Sequence, residues 1–261
     1  MQTGTGKGEL QMMTNMIQRL KGLLAVVLFA PGLALASEAV HLDKAPVSTD
    51  QARLQRGAKI FVNNCMGCHG LSFVRYNHLE QIGLTSEEIE KNLIFTAGAK
   101  VGDLMIPAIQ AADAKRWFGV RPPDLTLVTR ARSSEFGSGA DWVYTYLRKF
   151  YRDPERPTGW NNEIFPNVGM PHVLYEFQGE QTATVTKGEH GDTLQLSLTK
   201  PGKLSVEQYD EAVADLVSFL VWAGDPSAGF RKTLGLFVIG FLCVLLVLTY
   251  LLKRNYWKDV H

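Results

Sequence analysis

The sequence predicts a mainly α-helical chain with one small β-hairpin and one C-terminal membrane-spanning helix. Three observations predict it. Apolar residues recur at helical spacing in 52–64 and 205–222. Residues 181–199 alternate around a Gly-Glu-His-Gly-Asp turn, the pattern of two paired strands. The 20 residues from Thr233 to Leu252 carry no charge; at ~1.5 Å per residue they cross a hydrocarbon core of about 30 Å.

Arg19 and Lys21 precede a short apolar run, Leu23 to Leu35, that Pro31-Gly32 interrupts and Ala34-Leu35-Ala36 closes. This is the pattern of a secretory signal cleaved before Ser37. Residues 1–36 are therefore expected to be a signal peptide, with 1–12 as a start-site extension ahead of Met13 or Met16. In 52–64, Leu54, Ala58, Phe61 and Val62 share one helix face, and Asp50 or Thr49 can cap it. Thr85-Ser86-Glu87-Glu88 is a capping box that opens a short helix. The remainder of 71–120 is mixed. Paired prolines at 122 and 123 exclude regular helix or central strand from 119–126. Residues 139–151 read as a helix, with Asp141 in the first turn and Arg148-Lys149 near the end, as the helix dipole favours. Pro154, Pro157, Pro166 and Pro171, among several Gly and Asn, predict a long loop over 152–173. Ser205 opens the last helix of the body, and Gly224 and Pro226 end it. The organisation expected is a signal (1–36), an exported body (37–229), an anchor (230–252) and a short tail (253–261).

Composition narrows the function classes. With 46% hydrophobic and 20% charged residues the chain has apolar surface enough for a core and is not of the disordered class. A net charge of +1 gives no footprint for nucleic acid, and three cysteines exclude a disulfide scaffold. The near-neutral total hides an asymmetry. Residues 37–229 hold 19 basic and 24 acidic side chains, whereas both ends are basic. An acidic body speeds encounter with a basic partner.

The chemical signal is Cys65-Met66-Gly67-Cys68-His69. C-x-x-C-H is the attachment pattern of c-type haem. Two thiols about one helical turn apart can form thioethers with the two vinyl groups of one porphyrin, and the adjacent histidine then projects beneath the ring as an axial iron ligand. A redox dithiol would call for a strand-then-helix context, and a zinc site for further cysteines in the body; neither is present, since Cys243 falls in the anchor. The sixth ligand of such a haem is ordinarily a methionine. Met170 follows a Pro/Gly/Asn-rich loop and precedes Pro171; Met105 and His172 are rivals, Met66 lies inside the attachment motif and cannot reach across the ring, and His78 and His190 read as surface residues. Gly57 and Phe61, upstream of the motif, fit a helix that crosses the 205–222 helix closely, as in a cytochrome c-like domain.

These residues resemble the cytochrome c1 family over 45–258. The resemblance is carried by Arg56-Gly57, Phe61 and the haem motif; by Tyr76-Asn77-His78-Leu79; by Arg121-Pro122-Pro123-Asp124-Leu125-Thr126 with Arg130-Ala131-Arg132; and by Asn162, Phe165-Pro166 and Met170-Pro171 followed by the anchor. It implies one covalently attached haem c on Cys65 and Cys68, His69 and Met170 as axial ligands, Arg132 neutralising a propionate, and Pro122 and Pro123 lining the haem edge. It implies cytochrome b and Rieske iron–sulfur subunits as partners and a soluble or membrane-attached cytochrome c as acceptor. The haem domain is expected in the periplasm, on the inner membrane of a bacterium, with the tail cytoplasmic. Two departures stand out: Pro171-His172 follows Met170 where many members have Ala-Pro-Pro, and the stretch from Tyr76 to Pro122 is shorter than in mitochondrial members. The other readings are a different membrane-anchored c-type cytochrome that feeds a terminal oxidase, and a haem sensor or peroxidase with an open sixth position.

Overall fold

The computed structural model describes residues 41–188 and 191–259. The expected signal (1–36) and His190 lie outside the described residues. In chain order the elements are α1 (Gln51–Asn64), β1 (Leu71–Arg75), a 3-10 turn (Tyr76–Ile82), α2 (Ser86–Leu93), β2 (Leu104–Met105), α3 (Ala111–Phe118), α4 (Val128–Ala131), α5 (Gly139–Arg148), β3 (Phe150–Arg152), β4 (Trp160–Asn162), α6 (Tyr175–Gln178), β5 (Gly179–Gly188), β6 (Gly191–Pro201), α7 (Val206–Gly224) and α8 (Ala228–Tyr256). The strands form three separate antiparallel pairs: β1 with β2, β3 with β4, and β5 with β6.

Helix starts follow the caps. Asp50 accepts the Arg53 N–H at 3.0 Å and opens α1. Thr85 with Glu88, Ser138 with Asp141 and Ser205 with Gln208 form reciprocal capping boxes at α2, α5 and α7.

α1 packs across α7, and Gly57 permits the approach. A Cβ on Gly57 would lie 2.1 Å from the Asp215 carbonyl oxygen and 2.7 Å from the Phe219 Cβ. Phe61 and Phe219 are both fully buried at this crossing, with ring centroids 5.8 Å apart. Burial of each such side chain contributes about 1.5–3 kcal/mol. Asp215 is buried beside them and takes both the Arg53 and Arg56 Nε–H groups at 2.6 Å, so the carboxylate is paired rather than stranded. α5 joins the same core, tied to α7 by the buried Tyr209 hydroxyl, which donates to the Leu147 carbonyl at 2.8 Å.

Three expectations are corrected. The helix expected over 139–151 stops at Arg148, and Phe150–Arg152 become β3. The 152–173 segment is not all loop, because β4 within it pairs back on β3 in the register Phe150 to Asn162. The hairpin is longer than the alternation predicted, running from Gly179 to Pro201. α8 has 29 residues, none of them buried, and is long and apolar enough to cross a membrane. It continues past Lys253 and Arg254 because charge at a bilayer boundary does not break a helix.

Candidate haem-binding site

The last turn of α1 delivers the attachment motif. Cys65 and Met66 N–H groups both donate to the Phe61 carbonyl, at 2.9 and 3.0 Å. Cys68 and His69 N–H groups both donate to the Cys65 carbonyl, at 3.0 and 2.8 Å. One tight turn therefore carries Cys65, Cys68 and His69. Two segments brace it. Ala108 and Ile109 N–H groups donate to the Met66 and Gly67 carbonyls at 3.2 Å, and Leu125 N–H donates to the Gly70 carbonyl at 2.9 Å. Gly70 has no room for a side chain, since a Cβ there would sit 2.8 Å from the Pro107 Cδ.

His69 Nδ1 lies 2.7 Å from the Pro123 carbonyl oxygen. A carbonyl only accepts, so the proton is on Nδ1 and the Nε2 lone pair is free for a metal. The acceptor is itself fixed. The Asp124 carboxylate takes the Ser72 N–H and hydroxyl, each at 2.7 Å, and the Thr126 N–H at 2.9 Å. Burial lowers the His69 pKa below the ordinary imidazole value, against the opposing pull of Pro123 and Asp124. Burial also pushes the Cys65 thiol up to about 12, with Cys68 adding to it. A redox dithiol needs the opposite shift.

Met170 is presented by a stapled loop. The Asn162 amide donates to the Tyr146 carbonyl at 2.8 Å, and its oxygen accepts the Ile164 and Phe165 N–H groups at 3.1 and 3.2 Å. The Asn161 side-chain oxygen accepts the Asn167 N–H at 2.8 Å, and Asn167 holds a left-handed φ of 64°. At the end of this loop the Tyr146 hydroxyl donates to the Met170 sulfur at 3.5 Å. Arg132 is exposed and stacks over Trp142 at 4.4 Å and Phe165 at 5.4 Å. It has no carboxylate within ion-pair distance among the described residues. Trp142 in turn lies flat on Tyr146, with centroids 4.8 Å apart. Tyr146, Arg132 and Met170 thus form one cluster.

The rival ligands are used elsewhere. Met105 is fully buried in β2, paired with Leu71. Met66 is buried and its sulfur accepts the Tyr76 hydroxyl at 3.5 Å. His172 is 2% exposed, face to face with Phe150 at 4.8 Å and edge-on to Trp160 at 5.0 Å. Burial lowers its pKa to about 4, so it packs as a neutral aromatic ring. His78 is half-buried rather than fully on the surface. Met170, by contrast, is only half-buried where it packs on the common core, whereas Met66 and Met105 are buried within it.

The resemblance implied Pro122 and Pro123 at a haem edge and included Asp124 in its motif, but the Pro123 carbonyl as acceptor for His69, the bracing role of Asp124 and the contact of Tyr146 were not read from the sequence. Asp124 had a signal: a Pro-Pro-Asp-x-Thr run is a turn in which the carboxylate caps nearby N–H groups. Tyr146 had none, because its contact with Met170 spans 24 residues of sequence separation.

Two thiols in one turn, an imidazole with a free Nε2, a presented thioether and a cation without a carboxylate partner fit a covalently bound haem c. Comparison with known proteins agrees. The Cytochrome C1 family matches residues 41–260. The chain is 47% identical to a cytochrome c1 of Allochromatium vinosum, over 92% of this chain and 98% of that one. It is 48% identical to a protein of Nitrosomonas europaea named ammonia monooxygenase gamma subunit, over 94% of this chain and 100% of the relative. A mitochondrial cytochrome c1 of Schizosaccharomyces pombe is 27% identical over 81% of this chain and 68% of its own length. The name of the Nitrosomonas protein points to another assembly, whereas the family match takes in both the haem motif and the anchor helix. The chain belongs to the cytochrome c1 family, the haem c-bearing electron carriers of the cytochrome bc1 complex.

Proposed function

We propose that this chain takes one electron at a time from the Rieske iron–sulfur subunit and passes it to a soluble or membrane-attached cytochrome c. The bound haem c supplies the one-electron couple. Cys65 and Cys68 would hold it by thioethers, and His69 and Met170 would ligate the iron. Arg132 would neutralise a propionate, and Pro122 and Pro123 would line the haem edge. The protein side chains bind, orient and exclude water; none has to move a proton. The observation that carries this reading is that both candidate axial side chains are held by hydrogen bonds on braced backbone, His69 by Pro123 and Met170 by Tyr146. A haem with both axial positions taken carries electrons and leaves no place for oxygen or peroxide, and methionine ligation suits a high potential.

The same reading puts residues 1–36 in a cleaved signal, the body in the periplasm, α8 across the bacterial inner membrane beside cytochrome b, and 253–261 in the cytoplasm. Basic residues flank the uncharged run Thr233 to Leu252 almost evenly, Arg231 and Lys232 before it and Lys253, Arg254 and Lys258 after it, so the signal rather than the charge balance orients the chain. The test is the rate at which a basic cytochrome c oxidises the quinol-reduced complex in membranes. An acidic body predicts a second-order rate that falls steeply as salt is raised. A rate indifferent to ionic strength contradicts it.

A further inference from the structure

We infer that Tyr146 is a positioning residue for the axial sulfur: its hydroxyl holds one lone pair of Met170 and thereby sets the ligand's orientation and the potential of the bound iron. The inference rests on Met170 being the sixth ligand, as proposed above.

The geometry that supports it begins with the ring. Tyr146 is buried in the last turns of α5. Trp142 stacks on one face at 12° between planes, while Phe150 and Phe165 meet the ring edge-on, with centroids at 5.0 and 6.4 Å. Three aromatic neighbours leave the ring little rotational freedom, so the hydroxyl points where packing directs it. It points at sulfur, 3.5 Å away, within the range of a hydrogen bond to so large an acceptor. The backbone adds a second tie, because the Tyr146 carbonyl accepts the Asn162 amide that staples the loop before Met170. α5 and the ligand loop are thus joined on both sides of the thioether.

The chemistry follows from the donor count. A thioether sulfur has two lone pairs. If one is given to iron, a donor on the other fixes which pair is given, and so the direction of the S–CH3 bond relative to the haem plane. The same hydrogen bond withdraws electron density from sulfur. Ferric iron needs that density more than ferrous iron does, so the bond favours the reduced state and raises the potential. A buried hydroxyl that merely found a convenient acceptor would leave both properties unchanged when removed.

Tyr146→Phe separates the two cases, since it keeps the aromatic stack and removes only the hydroxyl. The variant is made in the full chain, matured with haem c in the assembled complex. Removing one neutral hydrogen bond should shift the redox equilibrium about fivefold toward the oxidised state, or ~41 mV downward at ~59 mV per tenfold for one electron. The far-red band of the ferric iron–thioether pair should persist at a displaced wavelength. A variant with unchanged potential and unchanged band overturns the inference. Met170→Ala is measured alongside. If that variant keeps the band, the ligand assignment itself fails, an outcome distinct from failure of the Tyr146 role. Should Tyr146→Phe not assemble, proton NMR of the unmodified reduced protein decides. A slowly exchanging Tyr146 hydroxyl with a cross-peak to the Met170 methyl supports the inference, and a hydroxyl in fast exchange with water rejects it.

Discussion

Replacing Gly57 with alanine puts a methyl group where α1 meets α7. The new Cβ would stand 2.1 Å from the Asp215 carbonyl oxygen, 2.7 Å from its carbon and 2.7 Å from the Phe219 Cβ. Carbon atoms pack best at about 3.5–4.0 Å, so the helices must part by about 1 Å. None of the atoms in the way is the far end of a flexible side chain; two belong to backbone. The strain therefore falls at the upper part of the usual overpacking range of about 1–3 kcal/mol. Alanine returns about 1 kcal/mol of helix propensity over glycine. The net loss is about 2 kcal/mol, which lowers the melting temperature of a domain of this size by about 4–8 °C. Thermal unfolding of the full chain in detergent, followed by far-ultraviolet circular dichroism and by haem absorbance, reads it directly. An unchanged or higher melting temperature would show that the crossing has slack at this point, and the account of why residue 57 is glycine would fall.

Two further outcomes follow from the polar network. Burial raises the Asp141 carboxyl, but hydrogen bonds from the Ala45 N–H, Ser138 and Lys44 outweigh it and hold the group down at about 2. Its folded pKa lies below the unfolded value, so its contribution is complete above about pH 4 and lost as pH falls toward 2. Asp141→Asn should cost on the order of 2 kcal/mol near neutral pH, with the gap to the parent closing between pH 4 and 2 in urea titrations; a gap constant with pH contradicts this. Asp124→Ala should release Pro123 and loosen His69, which increases high-spin character and carbon monoxide binding in visible spectra. Spectra identical to the parent would remove Asp124 from the support of His69.

Much of the architecture was legible because its signals are local. Asp50, Thr85 and Ser205 open their helices as their side chains require. The alternation in 181–199 became β5 and β6, and the uncharged run became α8. Cys65, Cys68 and His69 share one turn because their spacing leaves the backbone little choice. The failures are non-local. Phe150 and Tyr151 continue a helical pattern and Arg152 opens the expected loop, and only the pairing with Trp160–Asn162 turns the three into a strand. Met105 and Met170 look alike in sequence, each with a proline within two residues. What separates them is burial in the β1–β2 pair for one and a stapled loop beside Tyr146 for the other. The roles of Pro123 and Asp124 also depend on β1 arriving alongside, 50 or so residues from where the sequence could point to it.

The central claim is that His69 and Met170 together close the iron of a covalently bound haem. The most direct measurement is the visible spectrum of the full chain in membranes, ferric and ferrous with carbon monoxide, for the parent and for Met170→Ala. The account predicts a low-spin c-type spectrum with a far-red band and no response to carbon monoxide in the parent. It predicts that the variant loses the band and binds the gas. A far-red band that survives the substitution would move the sixth ligand to another residue. A high-spin parent that binds carbon monoxide would contradict electron carriage by a closed haem.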